Sequence, residues 1–336
     1  MRNRNVVLTL LVLPALALGA AACGGKSSSS GGGGGKLSLV AYSTPKEAYK
    51  EIVPAFDKTP DGKGVSFTQS YGASGDQSRA VQSGLPADVV ALSLAPDVTK
   101  LVKKNLVAKD WNQDRYKGFV TNSVVVLAVR KGNPKHIQGW ADIVKPGVEV
   151  ITPNPFTSGG ARWNIMAAYG AQLQQGKTPA QALAFVGEVL KHTPVQDKSA
   201  RESLQTFAGG KGDVLIAYEN EAITAQQKGE AVDYVIPPQT ILIENPIAVV
   251  STSKNPAKAK AFVAFTRTPE AQRIFAAKGY RSVLPAVLDA KRYPQPAGLF
   301  TIEKFGGWSK VTDEFFDPDK GRIAGIEKGL GVSTSK

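Results

Sequence analysis

Several points along the chain put small or hydroxyl-bearing residues where a strand gives way to a helix. Thr44-Pro45-Lys46-Glu47, Ser74-Gly75-Asp76-Gln77 and Ser199-Ala200-Arg201-Glu202 each fit a capping box, the first with proline opening the helix. Ser158-Gly159-Gly160-Ala161 follows the run VEVITPN and precedes the apolar Trp163, Met166 and Ala167. A further junction ends VLIAY at Tyr218 and runs into ENEAITAQQ. Helix starts present unpaired N–H donors and about half a positive charge. Small residues there let an anion approach the backbone closely. A capping box alone only caps a helix, but its recurrence beside Gly159-Gly160 points to anion binding.

Other chemistries find less support. The two histidines, His136 and His192, lie in NPKHIQGW and LKHTPV, without metal-ligand spacing. The single cysteine, Cys23, excludes a disulfide framework and a thiolate metal site. No cofactor or metal is expected. Gly72-Ala73-Ser74-Gly75 approaches the nucleophile elbow but misses G-x-S-x-G, and neither histidine stands in a catalytic context. A serine hydrolase is the alternative from another class; the expectation is a protein that is not an enzyme.

The elements that must position these junctions alternate along the chain. LSLVAYS, GVSFTQSYG, ADVVALS, SVVVLAVRK, VEVITPN, VLIAYE, YVIP and PIAVVS read as strands. TPAQALAFVGEVLKH sets Ala182, Phe185, Val186 and Leu190 on one helical face, and NPAKAKAFVAFTR and TPEAQRIFAAKG read alike. The fold class is therefore α/β, with helices flanking mixed, mainly parallel sheets. Ligands of such sheets collect at the carboxyl ends of the strands, where these junctions lie.

The first residues read as an address. Arg2 and Arg4 precede the apolar Val6 to Leu18, which is too short to span a bilayer. Ala20, Ala21 and Ala22 then lead to Cys23, an arrangement that resembles a bacterial lipobox. The reading is a signal peptide over 1–22, then lipidated Cys23 and a flexible Gly/Ser tether over 23–36. This predicts an extracytoplasmic protein held on the outer face of the cell membrane. The formal charge of +13 comes from scattered residues without interleaved aromatics, so no nucleic-acid partner is expected.

The body resembles the bacterial sulfate/thiosulfate-binding proteins of the type II periplasmic binding fold. SYGASGDQS (70–78), VRKGNP (129–134), KPGVEVITPNPFTSGGARWN (145–164), GDVLIAYENEA (212–222) and LFTIEKFGGW (299–308) carry the resemblance. It implies two lobes, residues 37–121 with 242–336 and residues 122–241, joined by hinge strands in SVVVLAVRK and YVIPPQTILI. It also implies a monomer that serves a membrane permease and ATPase of the ABC class. The implied ligand contacts are the Ser43 N–H, the Ser74 hydroxyl, the N–H groups of Ser158, Gly159 and Gly160, and that of Ala200. The family's last donor is usually a tryptophan indole, and Tyr218 stands there. Asp76 stands where lysine is common, and is expected to face outward as a helix N-terminal charge. Sulfate accepts hydrogen bonds everywhere and donates none, so a donor-only pocket rejects monohydrogen phosphate, whose proton would meet another N–H. Phosphate or molybdate is the alternative ligand.

Overall fold

The computed structural model describes residues 34–334. Cys23, its leader and the tether as far as residue 33 lie outside the described residues. The chain opens as β1 (Lys36–Tyr42), α1 (Lys46–Asp57), β2 (Ser66–Gly72), α2 (Ser74–Gln82), β3 (Val89–Ala91) and α3 (Ala95–Lys103). The long strand β4 (Phe119–Arg130) leads to β5 (Val150–Ile151), α4 (Gly159–Gln174), α5 (Pro179–Lys191) and α6 (Ala200–Ala208). Then come β6 (Val214–Tyr218), α7 (Glu219–Gln227), β7 (Val232–Val235) and a second long strand, β8 (Gln239–Val249). The chain closes with α8 (Pro256–Phe265), α9 (Pro269–Ala277), β9 (Gly298–Phe300), α10 (Gly307–Phe315) and α11 (Arg322–Gly329).

The strands form one curled sheet in the order β2-β1-β3-β8-β4-β6-β5, with β7 also on β4 and β9 on β8. β1 pairs in parallel with β2 and β3, β5 with β6, and β8 with β9. The antiparallel pairs all involve β4 or β8, which meet each other at Ser123↔Ile243 and Val124↔Leu242. Of the two segments expected as hinges, SVVVLAVRK falls in β4 except for its last residue, while YVIPPQTILI spans the end of β7, the following connection and the first half of β8.

Central strands are buried on both faces, which explains their unbroken apolar runs: Val89–Ala91 and Val214–Tyr218 are buried throughout. One core packs α1, α8 and α9 against β1, around Tyr49, Phe56, Phe262 and Phe275. Another surrounds α4, whose Trp163, Met166 and Tyr169 meet Val186 and Leu190 of α5. Helix α4 is buried all round over most of its length, as its composition dictates. The C-terminal residues Phe300, Ile302, Val311, Phe315 and Ile323 belong to this second core. The resemblance implies residues 242–336 in the first lobe; α8 and α9 pack in the first core, while the side chains from Phe300 onward join the second, where the Tyr169 ring meets Phe305 and Phe315 edge-on at 5.9 and 4.9 Å.

Among the described residues, no helix is long and apolar enough to cross a membrane.

Candidate functional site

The starts of α4 and α6 converge with the end of β6 and the residues just after β3. Ser158 caps α4 as its spacing predicts: its Oγ accepts from Ala161 N–H at 3.3 Å. Its own N–H donates to the Asn154 carbonyl at 2.9 Å. The N–H groups of Gly159 and Gly160 have no acceptor among the described residues, and neither does that of Ala200 at the start of α6. A Cβ placed on Gly160 would lie 3.5 Å from Ala200 Cβ and 3.6 Å from Tyr218 Cε1, so the two starts and Tyr218 share one small space. A Cβ on Gly159 would strike Leu94 Cδ2 at 2.4 Å and Ser93 Oγ at 2.8 Å, so only glycine fits there.

The three expected capping boxes divide. Ser199 forms its box: Glu202 N–H donates to Ser199 Oγ at 3.3 Å, and Glu202 Oε2 accepts from Ser199 N–H at 2.9 Å. Thr44 does not cap α1; its hydroxyl bonds Tyr280 at 2.9 Å, and the helix is entered from Pro45. Ser74 does not cap α2 either. That helix is entered from Ala73, and Ser74 Oγ donates to Asp97 Oδ2 at 2.7 Å while accepting from Ser93 N–H at 3.0 Å. In both cases a tertiary partner outcompetes the local N–H groups; for Ser74 it is an ionised carboxylate, a stronger acceptor than any neutral group. Ser43 lies in the β1–α1 turn, 9% exposed.

Ser93, at the end of β3, is the residue that sequence reading passed over. Its carbonyl accepts from Trp163 Nε1 at 3.0 Å and Asn245 Nδ2 at 2.9 Å. Its Oγ lies 2.7 Å from the Tyr218 hydroxyl. The signal available was slight: ADVVALS ends in a small hydroxyl residue just before the Pro96 helix start. Burial pushes the Tyr218 phenol well above its ordinary value, with repulsion from Tyr42 adding to it, so the hydroxyl keeps its proton.

The carboxylates around this space are already committed, whereas the buried Arg162 keeps an Nη1 without a partner among the described residues. Asp97 accepts from Ser74 and from Lys100 Nζ at 2.9 Å. Burial alone would raise its carboxyl, but Lys100, Arg162 and the Ser74 bond together hold it below the ordinary range. Glu219, next to Tyr218, is buried against Arg281 at 2.7 Å; burial raises its carboxyl and Arg281 opposes the rise. Glu221 holds Arg201 Nη2 at 2.8 Å. Arg162 donates from Nε to the Pro155 carbonyl at 2.8 Å. Asp76 pairs with Arg79, with Lys198 Nζ at 3.9 Å, and its side chain is 34% exposed at the rim. The space between the helix starts is thus lined by N–H and hydroxyl groups.

The starts of α1 and α2 also touch the α4 and α6 region through backbone carbonyls. Gly75 N–H donates to the Thr157 carbonyl at 3.1 Å, and Arg201 Nη2 donates to the Thr44 carbonyl at 3.1 Å.

The family model for bacterial extracellular solute-binding proteins matches residues 37–281. The sulfate-binding protein of Synechococcus elongatus is 47% identical over 84% of this chain and 83% of its own length. The thiosulfate-binding protein of Escherichia coli is 35% identical over 82% of this chain and 86% of its own. The chain belongs to the bacterial sulfate- and thiosulfate-binding protein family. Its fold agrees: the solved sulfate-binding protein of Mycobacterium tuberculosis superposes with a TM-score of 0.82 at 45% identity, covering 84% of this chain and all of that one. A periplasmic thiamin-binding protein, 18% identical, shares the two-lobed fold at a TM-score of 0.65, over 81% of this chain and 92% of that one.

Proposed function

We propose that this chain captures sulfate, or thiosulfate, which is likewise a tetrahedral dianion with acceptors only, outside the cytoplasm and delivers it to a permease and ATPase of the ABC class. The observation that carries this reading is the convergence of the unbonded Gly159, Gly160 and Ala200 N–H groups on Tyr218, with every nearby carboxylate paired elsewhere. These three N–H groups form the cradle, with Ser43, Ser74 and Ser158 framing it. The Ser93–Tyr218 pair adds a donor: one hydroxyl donates to the other, which leaves one proton to point at the anion. A phenol in this place therefore still supplies a donor where the family has an indole, and unlike an indole its oxygen also accepts. Two helix starts disperse the dianion's charge with no basic side chain touching it. Arg162 and Arg201 act behind the cradle through the Pro155 carbonyl and Glu221.

The lobes are assigned as two α/β bodies on either side of the β4–β8 pair, with the C-terminal helices on the α4 side. The protein acts as a monomer tethered by a lipid on Cys23, and an intact mass of the mature chain tests that attachment. Calorimetric titration with sulfate, thiosulfate, molybdate and phosphate tests the ligand. Sulfate or thiosulfate is expected to bind tightest at neutral pH; phosphate binding tighter than both would end the assignment.

A further inference from the structure

Glu327 is fully buried on α11, and no cation pairs with it among the described residues. Its Oε2 accepts from Gln196 Nε2 at 2.9 Å. Its Oε1 is buried without a partner, and so is Gln196 Oε1. An ionised carboxylate in this place would be an uncompensated buried charge, which costs several kcal/mol even after relaxation. Two orphaned acceptors on two adjoining groups are what remains when one proton is left out of the count. A neutral acid supplies it, since its O–H donates while the amide carbonyl accepts.

We propose that Glu327 folds in as the neutral acid, that its Oε1 proton is donated to Gln196 Oε1, and that this acid–amide pair positions the two helix starts of the site. The connection runs through a few residues. Asp197, next to Gln196, accepts at its carbonyl from Asn154 N–H at 2.8 Å. Its carboxylate accepts from Ser203 and Thr206 on α6 at 2.9 and 2.8 Å. Asn154 in turn holds the Ser158 N–H through its carbonyl at 2.9 Å and donates to the Ser333 carbonyl, beyond α11, at 3.3 Å. One segment thus touches the start of α4 and the body of α6 and is fastened to α11.

Charged groups on the surrounding elements are engaged elsewhere. Lys191 of α5 pairs with Glu188, and His192 Nδ1 bonds the Val148 carbonyl. Lys328 donates to the Asp319 carbonyl, and Arg322 lies over the Phe315 ring. On α10, Glu314 faces Lys310. Burial pushes the Glu327 carboxyl up, and only the Gln196 bond opposes it. A carboxyl raised in the folded state contributes stability that is complete below the unfolded value, about 4.3, and is lost as pH rises through the folded value.

Thermal unfolding of the full chain tests this, with Glu327→Gln beside the parent from about pH 4.5 to about pH 8.5, a window that starts at the unfolded glutamate value. Glu327→Gln keeps the neutral pair. The parent's melting temperature is expected to fall with pH relative to the variant's, and parallel profiles would overturn the proposal. Sulfate affinity, which rests on the function proposed above, is expected to weaken several-fold across that window in the parent and to hold in the variant. The unfolding arm needs no ligand, so it decides even if sulfate does not bind. Should Glu327→Gln not fold, Gln196→Glu gives the answer. Two carboxyls sharing one proton must steepen the parent's decline, and an unchanged slope would count against the neutral acid.

Discussion

Helices α2 and α4 both open on Ser-Gly, lie near each other and make opposite uses of the same residues. At α4, Ser158 stays local and caps the helix, which leaves the Gly159 and Gly160 N–H groups unbonded. At α2, Ser74 turns away to Asp97, and Gly75 spends its N–H on the Thr157 carbonyl of the opposite half. Helix α2 carries Asp76 in its first turn, whereas α4 carries no acidic residue there. The difference teaches that a capping sequence does not mark a binding site by itself. What marks it is whether the donors are still unspent once the tertiary contacts are made. By that measure the proposed anion site belongs to α4 rather than to α2.

The sharpest way to break this contrast is Gly159→Pro. It deletes one N–H and adds atoms against Leu94 and Ser93. A hydrogen bond to a charged group contributes up to about 3 kcal/mol, so sulfate affinity is expected to drop roughly 100-fold by calorimetry. An unchanged affinity would remove α4 from the site. Asp97→Asn tests the other helix through stability. Its carboxyl is fully buried and held below the ordinary range. The stability it contributes is complete above the unfolded value, about 3.9, and is lost as pH falls through the depressed folded value. The variant is expected to lose about 2 kcal/mol in denaturant unfolding at neutral pH and to show a flatter acid limb. The smallest effect belongs to Asp76→Asn. Its ion pair with Arg79 is at the rim, so stability should move by less than about 0.5 kcal/mol. Sulfate affinity should stay within about twofold, and a larger change would bring Asp76 into the pocket.

Much of the fold was legible because its signals are local. The β-branched runs became strands, and TPAQALAFVGEVLKH became α5 with Thr178 as its cap. At the site, the glycines after Ser158 and the box at Ser199 could be read because a cap and its N–H groups lie within a turn of each other. Thr44 and Ser74 misled for the converse reason: their hydroxyls have distant partners, Tyr280 and Asp97, that no window of sequence contains. Ser93 was missed on the same ground. Its role comes from Trp163, Tyr218 and Asn245, each at least seventy residues away. The C-terminal helices carry apolar faces that predict burial but no address, so their attachment to the α4 core had to come from packing.

Trp163 is joined to the opposite half by its indole N–H on the Ser93 carbonyl, and its ring meets Trp308 edge-on at 4.6 Å. Trp140, equally buried, donates to the Gln239 carbonyl instead. In the two-lobed reading proposed above, parting of the lobes breaks the first of these bonds and spares the second. With Trp111, Trp140 and Trp308 replaced by phenylalanine, Trp163 emission is then expected to shift when sulfate is added. The rate of closure over an anion can then be followed by stopped-flow fluorescence without attaching a dye.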